Sequence, residues 1–356
     1  MSDEQGIAGK RLLIEIVHPA HFHLFKNLAA DWLKEGGQVH LTAREKDVTL
    51  KLLELAGLPY TVLSEQGRGI VGLGKELLSR GAAMARFARQ FRPDVMIALT
   101  GVSICPVGRL LGIPTILVDE AEHAHLQRAL SLPFATSIMT GSGYLKNLGR
   151  RQVRYRGIWV DAYIHPSRFQ PSAERLRAAG IDPARPFVFL RLVSWDAAHD
   201  VGLRYDSRKA VIELVDRLAV DFDIYGSFEG AASPDLRKRV KPAPVHLVHD
   251  LMAHASLFVG EGATMAAEAA LLGAPSIYCG PLRWGYLLHM RDEEQLLRIC
   301  DTYAEATAIA RELLADPAAS RAQWQARARV HADDAEDVTA RFRDEALRLA
   351  VLHRRD

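Results

Sequence analysis

Phe258-Val259-Gly260-Glu261-Gly262-Ala263-Thr264-Met265-Ala266-Ala267-Glu268-Ala269-Ala270-Leu271-Leu272-Gly273-Ala274-Pro275-Ser276-Ile277-Tyr278 is the stretch from which the rest of the chain becomes readable. A short apolar run, a glycine-flanked turn, an alanine-rich helix closed by Gly-Ala-Pro and a second apolar run spell strand, turn, helix, strand. The glycines on either side of Glu261 let the backbone approach a ligand closely. A helix beginning at about Ala263 points its first N–H groups, which have no intrahelical acceptor, at that ligand. A phosphate suits such a cradle. Glu268 lies four residues after Thr264 on the same helix face, so its carboxylate can reach the two hydroxyls of a ribose attached to that phosphate. Glu261 is placed to face a reacting sugar.

Working outward, the same punctuation recurs as Ala56-Gly57-Leu58-Pro59 and Leu111-Gly112-Ile113-Pro114. Each sets a glycine at a helix C-terminus and a proline ahead of the next strand. Short apolar runs alternate with helical patterns throughout, which predicts parallel sheets with crossover helices. Strands are expected near 11–17, 38–42, 60–63, 94–99, 115–118 and 136–139, with a last one for this half within 153–163. After the proline-rich His165-Pro166-Ser167-Arg168-Phe169-Gln170-Pro171, further strands are expected near 187–191, 222–225, 245–248, 256–259 and 275–279. The expected division is an N-terminal Rossmann-like domain at 1–165, a C-terminal one at 166–330, and a helix at 331–356 that packs back on the first domain. From Thr302 onward the chain has no glycine and one proline, Pro317, and reads as helix.

A length of 356 residues suits two α/β cores. With 45 Lys+Arg against 43 Asp+Glu there is no bulk charge that would advertise a nucleic-acid partner. Cys105, Cys279 and Cys300 are widely spaced with no C-x-x-C, which fits a reducing cytoplasm better than a disulfide framework or a structural zinc. The apolar run after Arg11 is too short for a signal peptide or a span.

Ligands of open α/β sheets bind beyond the carboxyl ends of the strands, and four such places are polar here. After the first strand comes His18-Pro19-Ala20-His21-Phe22-His23, with Lys26 a turn on. An imidazole titrates near neutral pH without special tuning, so His18, His21 or His23 can serve as a general base, the others capping the helix or lining the site. A zinc site is the rival reading, although the spacing fits no standard motif. After the run ending at Val118 comes Asp119-Glu120-Ala121-Glu122-His123-Ala124-His125. Its carboxylates and imidazoles can share a proton or clamp hydroxyls; equally, Asp119 can cap a helix whose dipole Glu122 complements. After the strand near 187–191, Arg191, Ser194 and His199 can neutralise and hydrogen-bond a diphosphate, with Trp195 between them as a plug. The fourth place is the opening stretch itself. A basic amphipathic helix carrying Lys75, Arg80, Arg86, Arg89 and Arg92 reads either as a solvated face or as a contact with anionic lipid.

At His18-Pro19-Ala20-His21-Phe22-His23, Thr42-Ala43-Arg44-Glu45-Lys46-Asp47, Leu192 to Asp200 and Gly260 to Glu268 the chain resembles the domain of unknown function 354 family, over nearly its whole length to about residue 320. That family is placed by similarity beside GT-B glycosyltransferases and the non-hydrolysing UDP-N-acetylglucosamine 2-epimerases. The resemblance implies a GT-B-like α/β fold of two Rossmann-like, doubly wound parallel-sheet domains facing a cleft. It further implies donor binding by the C-terminal half and no obligatory metal or cofactor. Carried over by position, Glu268 holds the ribose, the Gly262-Ala263-Thr264 turn takes the diphosphate, and the His18 to His23 loop faces the acceptor, with Lys26, Arg44 and Asp119 on the acceptor side. The chain departs from the epimerase pattern, whose loop is richer in serine and glycine and whose motif ends in an acidic and arginine-rich tail; here Gly280-Pro281-Leu282-Arg283-Trp284 follows the next strand. The expectation is therefore a cytoplasmic, metal-independent glycosyltransferase that moves a sugar from a nucleotide-diphosphate donor, UDP-linked, to a glycan or lipid-linked acceptor in cell-surface polysaccharide or glycolipid assembly. Its catalytic base would come from His18, His21, His23, Glu120 or His123, and it would touch no nucleic acid; peripheral contact with the inner membrane face follows if the basic helix meets lipid. The alternatives are a nucleotide-sugar 2-epimerase or hydrolase, and a binding protein without turnover.

Overall fold

The computed structural model describes residues 6–45, 47–64, 69–193, 201–228 and 233–353. The chain separates into two units, one of Met1–Tyr163 with Ala335–Asp356 and the other of Ile164–Asp334.

The first unit is built on β1 (Arg11–Ile16), β2 (Gln38–Arg44), β3 (Tyr60–Ser64), β4 (Val95–Leu99), β5 (Thr115–Val118), β6 (Ser137–Thr140) and β7 (Gln152–Arg154). They form one sheet in the order β3-β2-β1-β4-β5-β6-β7, all pairs parallel. In the middle of the sheet Ile14 stands opposite Leu41 on one side and Ile97 on the other, and Leu12, Leu13 and Ile14 are all fully buried. Such unbroken apolar runs are what a parallel strand covered on both faces requires. One face carries Leu13, Met96 and Leu117 packed with Met84 and Ala88 from the helix Gly69–Phe91 and Ile104 from the helix Ile104–Leu111. The helix Pro19–Lys34 packs against the last helix, Val338–His353. That last helix is bound into the first unit: Phe342 lies 6.0 Å from Phe25 and 5.7 Å from Tyr155 between ring centres, and Thr339 Oγ1 donates to the Ala162 carbonyl at 2.7 Å.

The second unit holds β8 (Phe187–Leu192), β9 (Asp223–Phe228), β10 (Lys241–Pro242), β11 (Leu257–Gly260), β12 (Ser276–Cys279) and β13 (Arg298–Cys300), all parallel, in the order β10-β9-β8-β11-β12-β13. Two details differ from the sequence expectation. The run at 245–248 is not a strand: Val245–Leu247 is a 3-10 turn leading into the helix Val248–His254. Leu247, Leu251 and Met252 recur at helical spacing and are buried together, whereas the strand that does form is the two-residue edge ending at Pro242, where a missing N–H is tolerated. The edge strand Arg298–Cys300 has only three residues, too few for a period to show. Elsewhere strands fall where they were expected, and the glycines of the junction motif take left-handed backbone, Gly112 at φ 73° and Gly273 at φ 84°. Among the described residues no helix is long and apolar enough to cross a membrane.

A polar clip fastens the far side of this unit. Glu294 Oε1 receives His331 Nδ1 at 2.7 Å and lies 3.3 Å from His289 Nε2, joining the helix Gly285–Asp292 to the helix Pro317–Asp334. Burial opposes ionisation of Glu294, yet the hydrogen bonds and charge of His289 and His331 hold its pKa down at about 2. His289 is raised, first by its hydrogen bond to Glu294, against burial and with help from Glu293. Glu294 therefore contributes stability that is complete above its ordinary 4.5 and is lost as pH falls toward about 2. His289 contributes stability that is complete below its ordinary 6.5 and is lost as pH rises through its raised value. Glu294→Gln is accordingly expected to lower the thermal midpoint most between about pH 4.5 and 6.5, with the gap to wild type narrowing on both sides. A gap of constant size from acid to alkaline pH would show that the clip is not electrostatic.

Candidate functional site

Each sheet has one position where neighbouring strands run off to opposite sides, β1 against β4 in the first unit and β8 against β11 in the second. Loops at the carboxyl ends of such a pair diverge and leave a crevice. The loops after β1 and β11 that were singled out from the sequence open at these two pairs.

In the second unit, Gly260 closes β11 against β8: a Cβ there would stand 2.3 Å from the Arg191 carbonyl oxygen, so only glycine permits the pairing. Glu261 does not present its carboxylate to open space. One oxygen accepts the Val193 N–H at 3.0 Å and the other accepts the Tyr303 hydroxyl at 2.8 Å, which ties the end of β8 to the turn. Burial raises the Glu261 pKa, while these two donors and the Arg191 charge hold the rise back. Tyr303 is itself positioned by a capped helix, Tyr303–Leu313: Thr302 Oγ1 accepts the Glu305 N–H at 3.2 Å and Glu305 accepts the Asp301 N–H at 3.0 Å. The expectation that Glu261 faces a sugar is thus replaced by a positioning role for the turn.

Gly262 is the N-cap of the helix Ala263–Leu271, and no side chain caps it. The N–H groups of its first turn and the half-buried Thr264 therefore form the polar end of the crevice. Glu268, 5% exposed, sits one turn in, with His249 Nε2 3.4 Å from its Oε1. His249 comes from the helix Val248–His254 and packs edge-on to Phe169 at 5.7 Å. Arg191 lies beneath the turn, so that a Cβ on Gly262 would approach its Cγ to 3.1 Å, and its Nη1 donates to Ser227 Oγ at 2.8 Å. Ser194, Trp195 and His199 lie outside the described residues.

In the first unit, His18 is the exposed N-cap of the helix Pro19–Lys34, its Nδ1 accepting the Ala20 N–H at 3.2 Å. His21 is buried 6.2 Å from the His18 ring. His23 packs 5.6 Å from the Tyr163 ring, and Lys26 Nζ stands 6.0 Å from that same ring, so Lys26 and His23 share one aromatic neighbour. Across the crevice, β4 is followed by Thr100 and Gly101, with φ of 66° and 55°. A threonine in the left-handed region is costly, by about 1–3 kcal/mol, and such residues cluster at ligand-binding turns. Sequence reading passed this turn over, though Thr-Gly directly after a strand was the available signal.

The acidic loop after β5 divides by role. Asp119 caps no helix: it is buried against Arg128, whose Nε reaches it at 3.0 Å, and it also accepts the Tyr144 hydroxyl. Arg128 further donates to the Glu122 carbonyl at 2.7 Å, and a Glu122 carboxylate oxygen accepts the Leu145 N–H at 3.0 Å, so this loop is held by its own polar groups. His123 is exposed on the following turn. Glu120 is different. Its Oε2 is buried without a hydrogen-bond partner, and burial, reinforced by the charges of Asp119 and Glu122, lifts its pKa to about 8. A carboxyl that titrates close to neutrality is suited to proton transfer. Arg44, expected beside an acceptor, is instead paired with Glu76 at 2.5 Å in a buried chain that continues through Arg80, 3.3 Å from Glu76, toward Glu15 at 3.9 Å. Arg80 is thereby removed from any lipid-facing surface of its helix. Among the described residues no three His, Cys, Asp or Glu side chains converge to hold a metal ion.

Two parallel-sheet α/β units with crevices at their central strand pairs define the GT-B class of fold. Residues 11–162 match the model of the family described as protein of unknown function (DUF354). An uncharacterized protein of Methanocaldococcus jannaschii is 24% identical over 279 residues, 75% of this chain and 81% of that protein. The UDP-GlcNAc 2-epimerase of Neisseria meningitidis bound to UDP-GlcNAc superposes with a TM-score of 0.61 at 12% identity, over 96% of this chain and 99% of that one. The glycosyltransferase VinC in complex with dTDP superposes with a TM-score of 0.63 at 16% identity, over 96% and 99% of the two chains. At these identities the structural likeness establishes the fold.

Proposed function

We propose that this chain is a nucleotide-sugar enzyme, a glycosyltransferase that takes a UDP-linked sugar and passes it to a glycan or lipid-linked acceptor. The observation that carries the reading is the uncapped N-terminus of the helix Ala263–Leu271 at the β8/β11 crevice, with buried Glu268 one turn along the same helix. The first-turn N–H groups and Arg191 supply the charge that a leaving diphosphate needs, and this stabilisation is the larger part of such catalysis. Glu268 chelates the ribose, with His249 fixing its carboxylate. We assign acceptor recognition to the rim of the first unit, with Glu120, His21 or His23 taking the acceptor proton. The similar structures that hold UDP-GlcNAc or dTDP support a nucleoside-diphosphate ligand.

Epimerases among the similar structures support a second reading, in which the same donor is altered without an acceptor. The two are separated by product: transfer requires an acceptor, whereas the epimerase changes the sugar of the UDP conjugate alone.

The binding half is tested by thermal shift with UDP, GDP, CMP, ADP and their sugar conjugates. Saturation at a hundredfold over Kd stabilises by about 2.7 kcal/mol, which for a chain of this size raises the midpoint by roughly 1–4 °C. The expected result is a shift with UDP or a UDP-sugar that is largely lost in Glu268→Ala. If no nucleotide shifts wild type, the assignment of the crevice to a donor is wrong.

A further inference from the structure

β12 and β13 end in cysteines, and the register sets Cys279 directly opposite Cys300. Residues paired in a parallel ladder point to the same face of the sheet, and adjacent strands lie about 4.7–4.9 Å apart. That spacing is inside the range of roughly 4.4–6.8 Å between Cα atoms that a disulfide spans. Here Cys300 Sγ donates to the carbonyl of Tyr278, the residue before Cys279, at 3.8 Å. Both residues are only 4% exposed, but β13 is the edge strand of its sheet, and the residue after Cys300, Asp301, is exposed. Cys300 is thus the member of the pair nearer the sheet edge, and Cys279 lies one strand further in.

We propose that Cys279 and Cys300 form a reactive dithiol that exchanges with low-molecular-weight disulfides of the glutathione type and closes to an intramolecular disulfide. In the first step the Cys300 thiolate attacks one sulfur of the small disulfide, forming a mixed disulfide and releasing one small thiol. In the second, Cys279 Sγ attacks Cys300 Sγ, the protein disulfide forms, and the second small thiol leaves. Two electrons pass from the protein thiols to the small disulfide, and the two thiol protons end on the released thiols. The order follows from position: Cys300 lies on the edge strand and Cys279 one strand further in. Cys105, fully buried in the first unit with burial pushing its thiol up to about 12, is the internal control.

The position gives the bond a consequence. Cys300 is three residues from Tyr303, whose hydroxyl holds Glu261, which in turn holds the Val193 N–H. Closing the disulfide alters the strand end from which this chain of contacts starts, so the turn from Glu261 to Thr264 reports the redox state. That second part rests on the proposed nucleotide site only where ligand binding is the readout.

The test is to incubate the fully reduced native chain with glutathione disulfide, block free thiols, and map the products by mass spectrometry. The expected product is a Cys279–Cys300 crosslink with Cys105 still reduced, and Cys279→Ser should instead retain glutathione on Cys300. Should that variant fail to fold, Cys300→Ser is the substitute, and it should lose both the crosslink and most of the glutathione adduct. Recovery of Cys279 and Cys300 as free thiols, or crosslinking only after addition of urea, overturns the proposal. Hydrogen exchange of residues 261–265 in reduced and oxidised protein tests the coupling without any ligand, and identical exchange overturns it. If exchange changes but neither form is shifted by UDP, the dithiol stands and the nucleotide assignment falls.

Discussion

Arg128→Met is expected to destabilise the first unit by about 3–5 kcal/mol, because it strands a buried carboxylate. Asp119 is 4% exposed and accepts from both Arg128 and Tyr144; with the guanidinium gone, Tyr144 alone faces the charge, and the Arg128 bond to the Glu122 carbonyl is lost as well. The loop so released is the one that carries Glu120 and His123. Urea titration of the single variants and of Asp119→Asn with Arg128→Met forms the informative set. The double variant should recover a substantial part of the loss, since neither partner then holds an uncompensated charge. A single-variant loss below about 1 kcal/mol would place this pair among the weak surface bridges and refute the argument.

Trp324→Ala should cost the second unit a similar amount, about 3–5 kcal/mol, through a cavity rather than a charge. Trp324 is 2% exposed, and its Nε1 donates to the Leu296 carbonyl at 2.6 Å. Its helix, Pro317–Asp334, packs on the helix Ala263–Leu271, and the next residue, Gln325, comes so close to Gly273 that a Cβ there would meet its Cγ at 2.9 Å. The substitution therefore weakens the support at the C-terminal end of that helix, the end away from Gly262. Trp324→Phe, which keeps most of the volume and loses the hydrogen bond, should fall well short of the alanine loss in denaturant midpoint. Equal losses for the two would mean that the hydrogen bond, not the filled volume, is what matters there.

The strand positions and the parallel-sheet class were legible from the alternation of short apolar runs with helices, because parallel strands buried on both faces leave a dense local signal; the order of the strands in each sheet was not. The Gly-x-Pro junctions were legible for the same reason: left-handed backbone at Gly112 and Gly273 selects one residue type. Side-chain roles at the site were less so. Tyr303 is 42 residues from Glu261, and Arg128 reaches Asp119 only because a loop folds back on itself. No periodicity records such pairings, so Glu261 and Asp119 looked like ligands when their partners lie within the chain. Arg44 misled in the same way, its neighbour Glu76 being 32 residues on. Glu268 and the Gly262 turn read more easily because their relation is local, one helical turn.

The return of the last helix to the first unit has a consequence for biosynthesis. Unit Ile164–Asp334 is one uninterrupted stretch, so it can complete its fold as soon as Asp334 has cleared the ribosome. The first unit is begun earlier yet finishes later, since Val338, Phe342 and Ala346, all fully buried in it, are translated after Asp334. Until then the nascent chain carries an apolar groove over Phe25 and Tyr155 with nothing to fill it. The order of completion is thus the reverse of the order of synthesis, and a chain halted before Val338 would yield a finished second unit beside an unfinished first one.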